Sequence, residues 1–206
     1  MTKGRLEAFS DGVIAILITI MVLNLGVPRG TDLGSLSQVA PNLVAYVLSF
    51  LFLGIYWSNH HHLLQAANRV DGRVLWANLH LLFWLSLVPF GGAWIGQTDL
   101  APVPVAIYGV VLLMCAFAYF LLVRALIRIH GRDSIIATAI GRDVKGIVSP
   151  LLYLVAVPLA LVAPVAAFAI YVLVALIWFV PDVRIERQLG EGSRERETSG
   201  GAEPAE

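Results

Sequence analysis

The chain has 206 residues, of which 58% are hydrophobic and only 14% charged, and its mean hydropathy is +0.80. Soluble domains carry about 25% charged residues, so the composition argues against most soluble folds, and against a disordered chain, which needs low hydrophobicity and high charge. A single cysteine, Cys115, excludes a disulfide scaffold, and 14 basic against 14 acidic residues leave no basic footprint for a nucleic-acid partner.

A bilayer core of about 30 Å takes about 20 apolar residues per helix. The first apolar run covers residues 13–27, with Ser10 and Asp11 at its start and Gly26-Val27-Pro28 ending it. The second covers 43–64, the third 74–95 and the fourth 103–127. The stretch 147–180 is too long for one span, and Pro158 and Pro164 interrupt it. It is expected to form two short helices joined by a tight turn near Ala163-Pro164. The expected fold class is therefore an all-α membrane protein with six transmembrane helices in residues 1–183. Residues 184–206 follow as a charged, solvated and disordered cytoplasmic tail, rich in Gly, Glu, Arg and Ser. The first run is not expected to be a cleavable signal, since Glu7 and Asp11 precede it and no small-residue cleavage site follows.

The basic residues set the expected orientation. Lys3 and Arg5 precede helix one, and Arg69 and Arg73 separate helices two and three. Arg124, Arg128, Arg132, Arg142 and Lys145 lie at or between helices four and five, and Arg184, Arg187, Arg194 and Arg196 follow helix six. Only Arg29 falls on the other side. By the positive-inside rule both termini face the cytoplasm of a cell-membrane protein.

Ionisable groups inside hydrocarbon are costly and each needs a reason. Asp11 and Ser10 suit the positive end of a helix dipole, as caps, or a buried network in which Asp11 accepts from Arg5 or from another helix. Helix two ends Trp57-Ser58-Asn59-His60-His61-His62. Consecutive histidines point about 100° apart on a helix, which is poor metal-ligand spacing, so no metal is expected. One histidine is expected to face the bundle and the others the cytoplasmic interface. Asn78 and His80 of helix three fall at the same depth as Arg5, Asp11 and His60, so a polar network among the first three helices follows from topology.

Within helix one, Ile16, Ile20, Leu23 and Val27 share one helical face, flanked by Thr19. This is the ordinary pattern of a lipid- or bundle-facing stripe, with Thr19 bonding back to its own helix. The same pattern serves as a pore lining in which an apolar ring constricts and dewets. Periodicity does not separate the two. Trp57, Trp76, Trp94 and Trp178 fall near span ends as interface anchors, Trp84 falls mid-span, and Pro89, Gly91 and Gly92 are placed to kink helix three or admit a close neighbour. There is no carbonyl filter loop of the Thr-Val-Gly-Tyr-Gly kind, no P-loop and no nucleophile with a base at recognisable spacing, so no enzyme is expected.

The run Arg5-x-x-x-Phe9-Ser10-Asp11-Gly12-Val13-x-Ala15-Ile16-x-x-Thr19 resembles the signature of the endosomal/lysosomal potassium channel family of the transmembrane protein 175 type. The resemblance continues through Trp57-x-x-His60, Asp71, Asn78-Leu79 and Pro89-Phe90, and thus covers helices one to three. It implies a prokaryotic homotetramer whose central pore is lined by helix one and carries potassium ions passively, with no cofactor. It implies that Ile16 forms the constriction, that Ile20 and Leu23 add apolar layers, and that Thr19 supplies a hydroxyl layer tied to potassium preference. It assigns Arg5, Phe9, Ser10, Asp11, His60 and Asn78 to the network that holds helix one. Family members often carry an acidic residue where this chain has Asn24, and Asp32 or Asp99 is a substitute source of attraction for cations. The competing readings are a proton-coupled transporter using Asp11 and the helix-two histidines, and a metal protein built on His60, His61 and His62.

Overall fold

A computed structural model describes residues 2–28, 30–131, 134, 136, 137 and 144–179. Arg29, Arg132, Arg142 and everything from residue 180 onward, including Arg184, Arg187, Arg194, Arg196 and the tail, lie outside the described residues. The described residues are helical with no strand. The helices are α1 (Lys3–Met21), α2 (Ala40–Ala66), α3 (Gly72–Ser86), α4 (Val88–Gln97), α5 (Pro102–His130), α6 (Val144–Ala160) and α7 (Pro164–Phe179). Four helical segments are long and apolar enough to cross a membrane: Lys3–Asn24, Ala40–Ala66, Gly72–Gln97 and Pro102–His130. The last two helices are apolar but shorter, at 17 and 16 residues.

Local chemistry explains most of the boundaries. Pro102 and Pro164 each open a helix, where the missing N–H costs nothing. Asp71 caps α3, its carboxylate accepting from the backbone N–H of Arg73 at 3.0 Å and of Val74 at 2.9 Å. Gly26 (φ 70°) and Gly131 (φ 92°) take the left-handed region just past α1 and α5, where a side chain is strained.

Three expectations need correction. The third span is two helices, because Pro89 offers no N–H for the helix to continue through and the chain resets at Leu87. Pro158 does not end α6; it removes one hydrogen bond, and the helix runs on to Ala160 before turning at Leu161 and Val162. Ser10 and Asp11 cap nothing, since α1 begins at Lys3 with Thr2 preceding it and carries them well inside the helix.

The buried tyrosines lie on α5, α6 and α7, and α1 adds Leu6, Ile14 and Met21 to the same core. Tyr108, Tyr153 and Tyr171 form a ladder of rings with centroids 6.0 and 6.1 Å apart, joining α5, α6 and α7. The Tyr108 hydroxyl meets Ser49 Oγ on α2 at 2.9 Å, and Tyr171 donates to the Val105 carbonyl at 3.2 Å. Small residues let α4 into this group: Gly91 rests on the Tyr108 ring, Gly92 on Ser49 and Gly96 on Asn42. Helix α1 packs chiefly on α2, α3 and α4, burying Leu6, Ser10, Ile14 and Met21.

Candidate functional site: the anchored and the free face of α1

The buried face of α1 carries one polar group, Ser10, and it is the start of a hydrogen-bond chain. Ser10 Oγ donates to the Leu6 carbonyl at 2.9 Å. Its only proton is then used, so it accepts from Asn78 Nδ2 on α3 at 2.9 Å. That orients the amide, and Asn78 Oδ1 accepts from His60 Nε2 on α2 at 2.7 Å. His60 is therefore protonated at Nε2. All three side chains are fully buried. Ser10, Asn78 and His60 thus tie the first three membrane segments together at one depth, where an unpaired polar group would be costly.

Beside this chain a second set joins α1 to α2. Trp57 Nε1 donates to Asp11 Oδ1 at 3.0 Å. The His61 ring stacks on Trp57 with centroids 5.8 Å apart and planes at 20°, and His61 Nδ1 lies 3.4 Å from Glu7 Oε1. Glu7 and Asp11 are four residues apart on one helix, and Trp57 and His61 are four apart on the other. The two pairs face each other across the α1–α2 contact. Sequence reading placed Trp57 as an interface anchor and missed the Glu7–His61 pair; the matched i, i+4 spacing was the available signal.

The remaining expected network members stay apart in a single chain. Arg5 and Phe9 are exposed, and Arg5 has no hydrogen-bond or ion-pair partner among the described residues. The partner of Asp11 is Trp57 rather than Arg5. His80 accepts from Trp84 Nε1 at 2.9 Å on its own helix. Among the described residues no cluster of three or more His, Cys, Asp or Glu could hold a metal.

The opposite face of α1 is bare. Ile16 is 57% exposed, Ile20 47% and Leu23 79%, and no charged side chain interrupts the helix beyond Asp11. Thr19 is exposed between them, its Oγ1 sharing its proton between the Ala15 and Ile16 carbonyls, each at 3.0 Å. A threonine held this way keeps its oxygen lone pairs for an outside partner. From Val22 the helix tightens into a short 3₁₀ turn that carries Leu23 and ends at Asn24, which is exposed. Asp32 is exposed in the following loop, and the Ser35 hydroxyl donating to it holds its carboxyl below the usual carboxylate range.

Lys3 Nζ donates to the Gln65 carbonyl at 3.2 Å, and Arg69 Nη2 to the Ile129 carbonyl at 2.6 Å. The start of α1, the α2–α3 connection and the end of α5 therefore share one end of the bundle, and the described basic residues gather there.

Residues 5–89 match the family described as the endosomal/lysosomal potassium channel TMEM175. A protein of Chryseobacterium sp. strain P1-3 named a potassium channel is 51% identical over 191 residues, covering 93% of this chain and all of that protein. A chicken (Gallus gallus) protein named an endosomal/lysosomal proton channel, TMEM175, is 38% identical over 107 residues, 45% of this chain and 20% of its own length. The crystal structure of a lysosomal potassium-selective channel TMEM175 homolog from Chamaesiphon minutus superposes with a TM-score of 0.74 at 29% identity, covering 86% of this chain and 96% of that one. A bare, uncharged face on a first helix anchored through Ser10, Asn78 and His60 is thus what this chain brings to a shared fold, and the chain belongs to the TMEM175 potassium channel family.

Proposed function

We propose that four copies of this chain surround one axis in the cell membrane and conduct potassium passively along the bare face of α1. Each subunit contributes six membrane-crossing units, with α3 and α4 counted as one, and both termini are cytoplasmic. The observation that carries this reading is the contrast between the two faces of α1. One is pinned by a buried hydrogen-bond chain; the other exposes Ile16, Thr19, Ile20 and Leu23 with no charge. A helix in an ordinary bundle has no need of so rigid a mount for a purely lipid-facing stripe.

Ile16, the narrowest ring, imposes a dehydration barrier that is lower for the weakly hydrated potassium ion than for sodium. Ile20 and Leu23 lie about 6 and 10 Å further along the axis at 1.5 Å per residue. Thr19 oxygen atoms replace part of the water shell between the Ile16 and Ile20 layers. Selectivity built this way is modest, since no backbone carbonyl cage completes the coordination. Ser10, Asp11, His60 and Asn78 position α1, and Arg5 and Phe9 complete that mount where neighbouring subunits meet.

The test is a potassium flux assay on the reconstituted protein together with Ile16→Asn. A polar ring wets the constriction, so single-channel conductance is expected to rise several-fold and potassium selectivity to fall. Unchanged conductance and selectivity in Ile16→Asn remove α1 from the ion pathway. The chicken relative, named a proton channel, makes proton permeation the second reading. Reversal potentials that follow the pH gradient and ignore the potassium gradient decide for it.

A further inference from the structure

The exposed side of α5 carries a second pattern, independent of α1. Val103, Ile107, Val110, Met114, Phe117, Leu121, Arg124 and Arg128 alternate by four and three residues and form one continuous stripe. All are exposed except the half-buried Met114. The stripe is wholly apolar up to Leu121 and wholly cationic after it. α5 is 29 residues long, or about 43 Å, which exceeds a hydrocarbon core of about 30 Å. Counted from Val103, about 30 Å of rise brings the helix to Val123. Arg124 therefore leaves the hydrocarbon just as it ends, and Arg128 stands one turn further out, at the depth of lipid phosphates.

The two side chains are prepared for an acceptor. The Arg124 guanidinium lies over the Phe120 ring with its carbon 5.1 Å from the centroid. A guanidinium held over a ring keeps its in-plane N–H donors for an anion. No carboxylate pairs with Arg124 or Arg128 among the described residues. Asp71, the acid of the nearby α2–α3 connection, is occupied by the backbone of α3. Arg69 reaches the same helix end through the Ile129 carbonyl and adds a third positive charge there. Compensation of the α5 dipole accounts for Arg128 in the last turn, but not for Arg124 or for the clean change from apolar to cationic along one stripe.

We infer that Arg124 and Arg128 form a binding site for the phosphate headgroup of an anionic phospholipid, whose acyl chains lie along the Phe117–Leu121 part of the stripe. The ligand class is a phosphatidylglycerol-like lipid of the leaflet on that side. The inference requires only that α5 crosses a bilayer, so it stands or falls separately from the pore.

The test is native mass spectrometry of the full chain in mild detergent with equal amounts of phosphatidylglycerol and phosphatidylcholine. The wild type is expected to retain phosphatidylglycerol preferentially and to release it as salt rises from about 0.1 to about 0.5 M. The doubly substituted Arg124→Gln, Arg128→Gln protein is expected to lose about fivefold in that preference for each arginine. The Arg124→Lys, Arg128→Lys protein is expected to fall between the two, keeping the charge but losing the guanidinium fork. Equal retention of the two lipids by the wild type, or an unchanged preference in the glutamine variant, overturns the assignment. So does a glutamine variant whose subunit number changes while its lipid content does not, which makes the stripe a contact between copies.

Discussion

Ser10 has one hydroxyl proton, and its destination sets the direction of everything attached to it. Because that proton goes to the Leu6 carbonyl, Asn78 must donate to Ser10 and accept from His60. Asn78 is the residue with bonds on both sides, so it is the one whose loss leaves two buried groups unpaired. Replacing it by leucine strands the His60 N–H and a Ser10 lone pair, at about 1–3 kcal/mol for each unsatisfied group. Asn78→Leu is expected to lower the thermal midpoint of the detergent-solubilised protein by several degrees. Ser10→Ala, which strands only the Asn78 amide, should lower it less. Equal shifts would mean that the chain is not cooperative in the direction deduced. That Ser10, His60 and Asn78 share a depth was legible from hydropathy, because each stands at the same end of its apolar run. The direction of the bonds was not, since it depends on which carbonyl the serine reaches. The exposed positions of Arg5 and Phe9 were equally hidden, because the spacing along α1 does not tell which of its faces the neighbouring helices cover.

At the scale of elements, α4 is the clearest case of packing overriding a simple apolar run. Its glycines serve close approach. A Cβ on Gly96 would stand 2.6 Å from the Asn42 Cα, a backbone atom that cannot swing away, whereas a Cβ on Gly54 of α2 meets nothing within 4 Å. Gly96→Ala must push α4 off α2, and overpacking of this kind costs about 1–3 kcal/mol. Gly54→Ala is expected to be neutral or slightly stabilising, since alanine is the better helix former. Thermal unfolding of the two variants side by side checks this, and a Gly96→Ala protein as stable as Gly54→Ala refutes the close contact. The apolar runs themselves were readable because each helix must satisfy its own backbone in lipid. The split at Leu87 was foreshadowed by Pro89, but hydropathy averages across it. The cap at Asp71 and the opening prolines are local chemistry and could be read directly. The reversal after Ala160 was placed within a few residues of where it falls, because Pro164 cannot continue the preceding helix but can open the next.

At the scale of the whole molecule, the chain is asymmetric. The tyrosine ladder joins α5, α6 and α7, whereas α1 packs chiefly against α2, α3 and α4 and keeps its opposite face exposed. The same asymmetry gives two exposed apolar stripes with opposite expectations. Leu23, just past α1, and Phe117 of α5 are both exposed; Leu23 faces water at the outer mouth if α1 lines a pore, and Phe117 faces acyl chains if α5 holds a lipid. The native Cys115 is fully buried and does not compete for a thiol reagent. A membrane-impermeant cationic thiol reagent applied from outside is therefore expected to modify Leu23→Cys and reduce the potassium current, because a fixed positive charge then stands in the path of cations. High potassium should slow the modification by occupying the same space. Phe117→Cys should not react, since the reagent does not partition into hydrocarbon. Reaction at both positions alike would mean that the two stripes meet the same environment, and the exposed face of α1 would then be a lipid surface with the ion pathway elsewhere in the bundle.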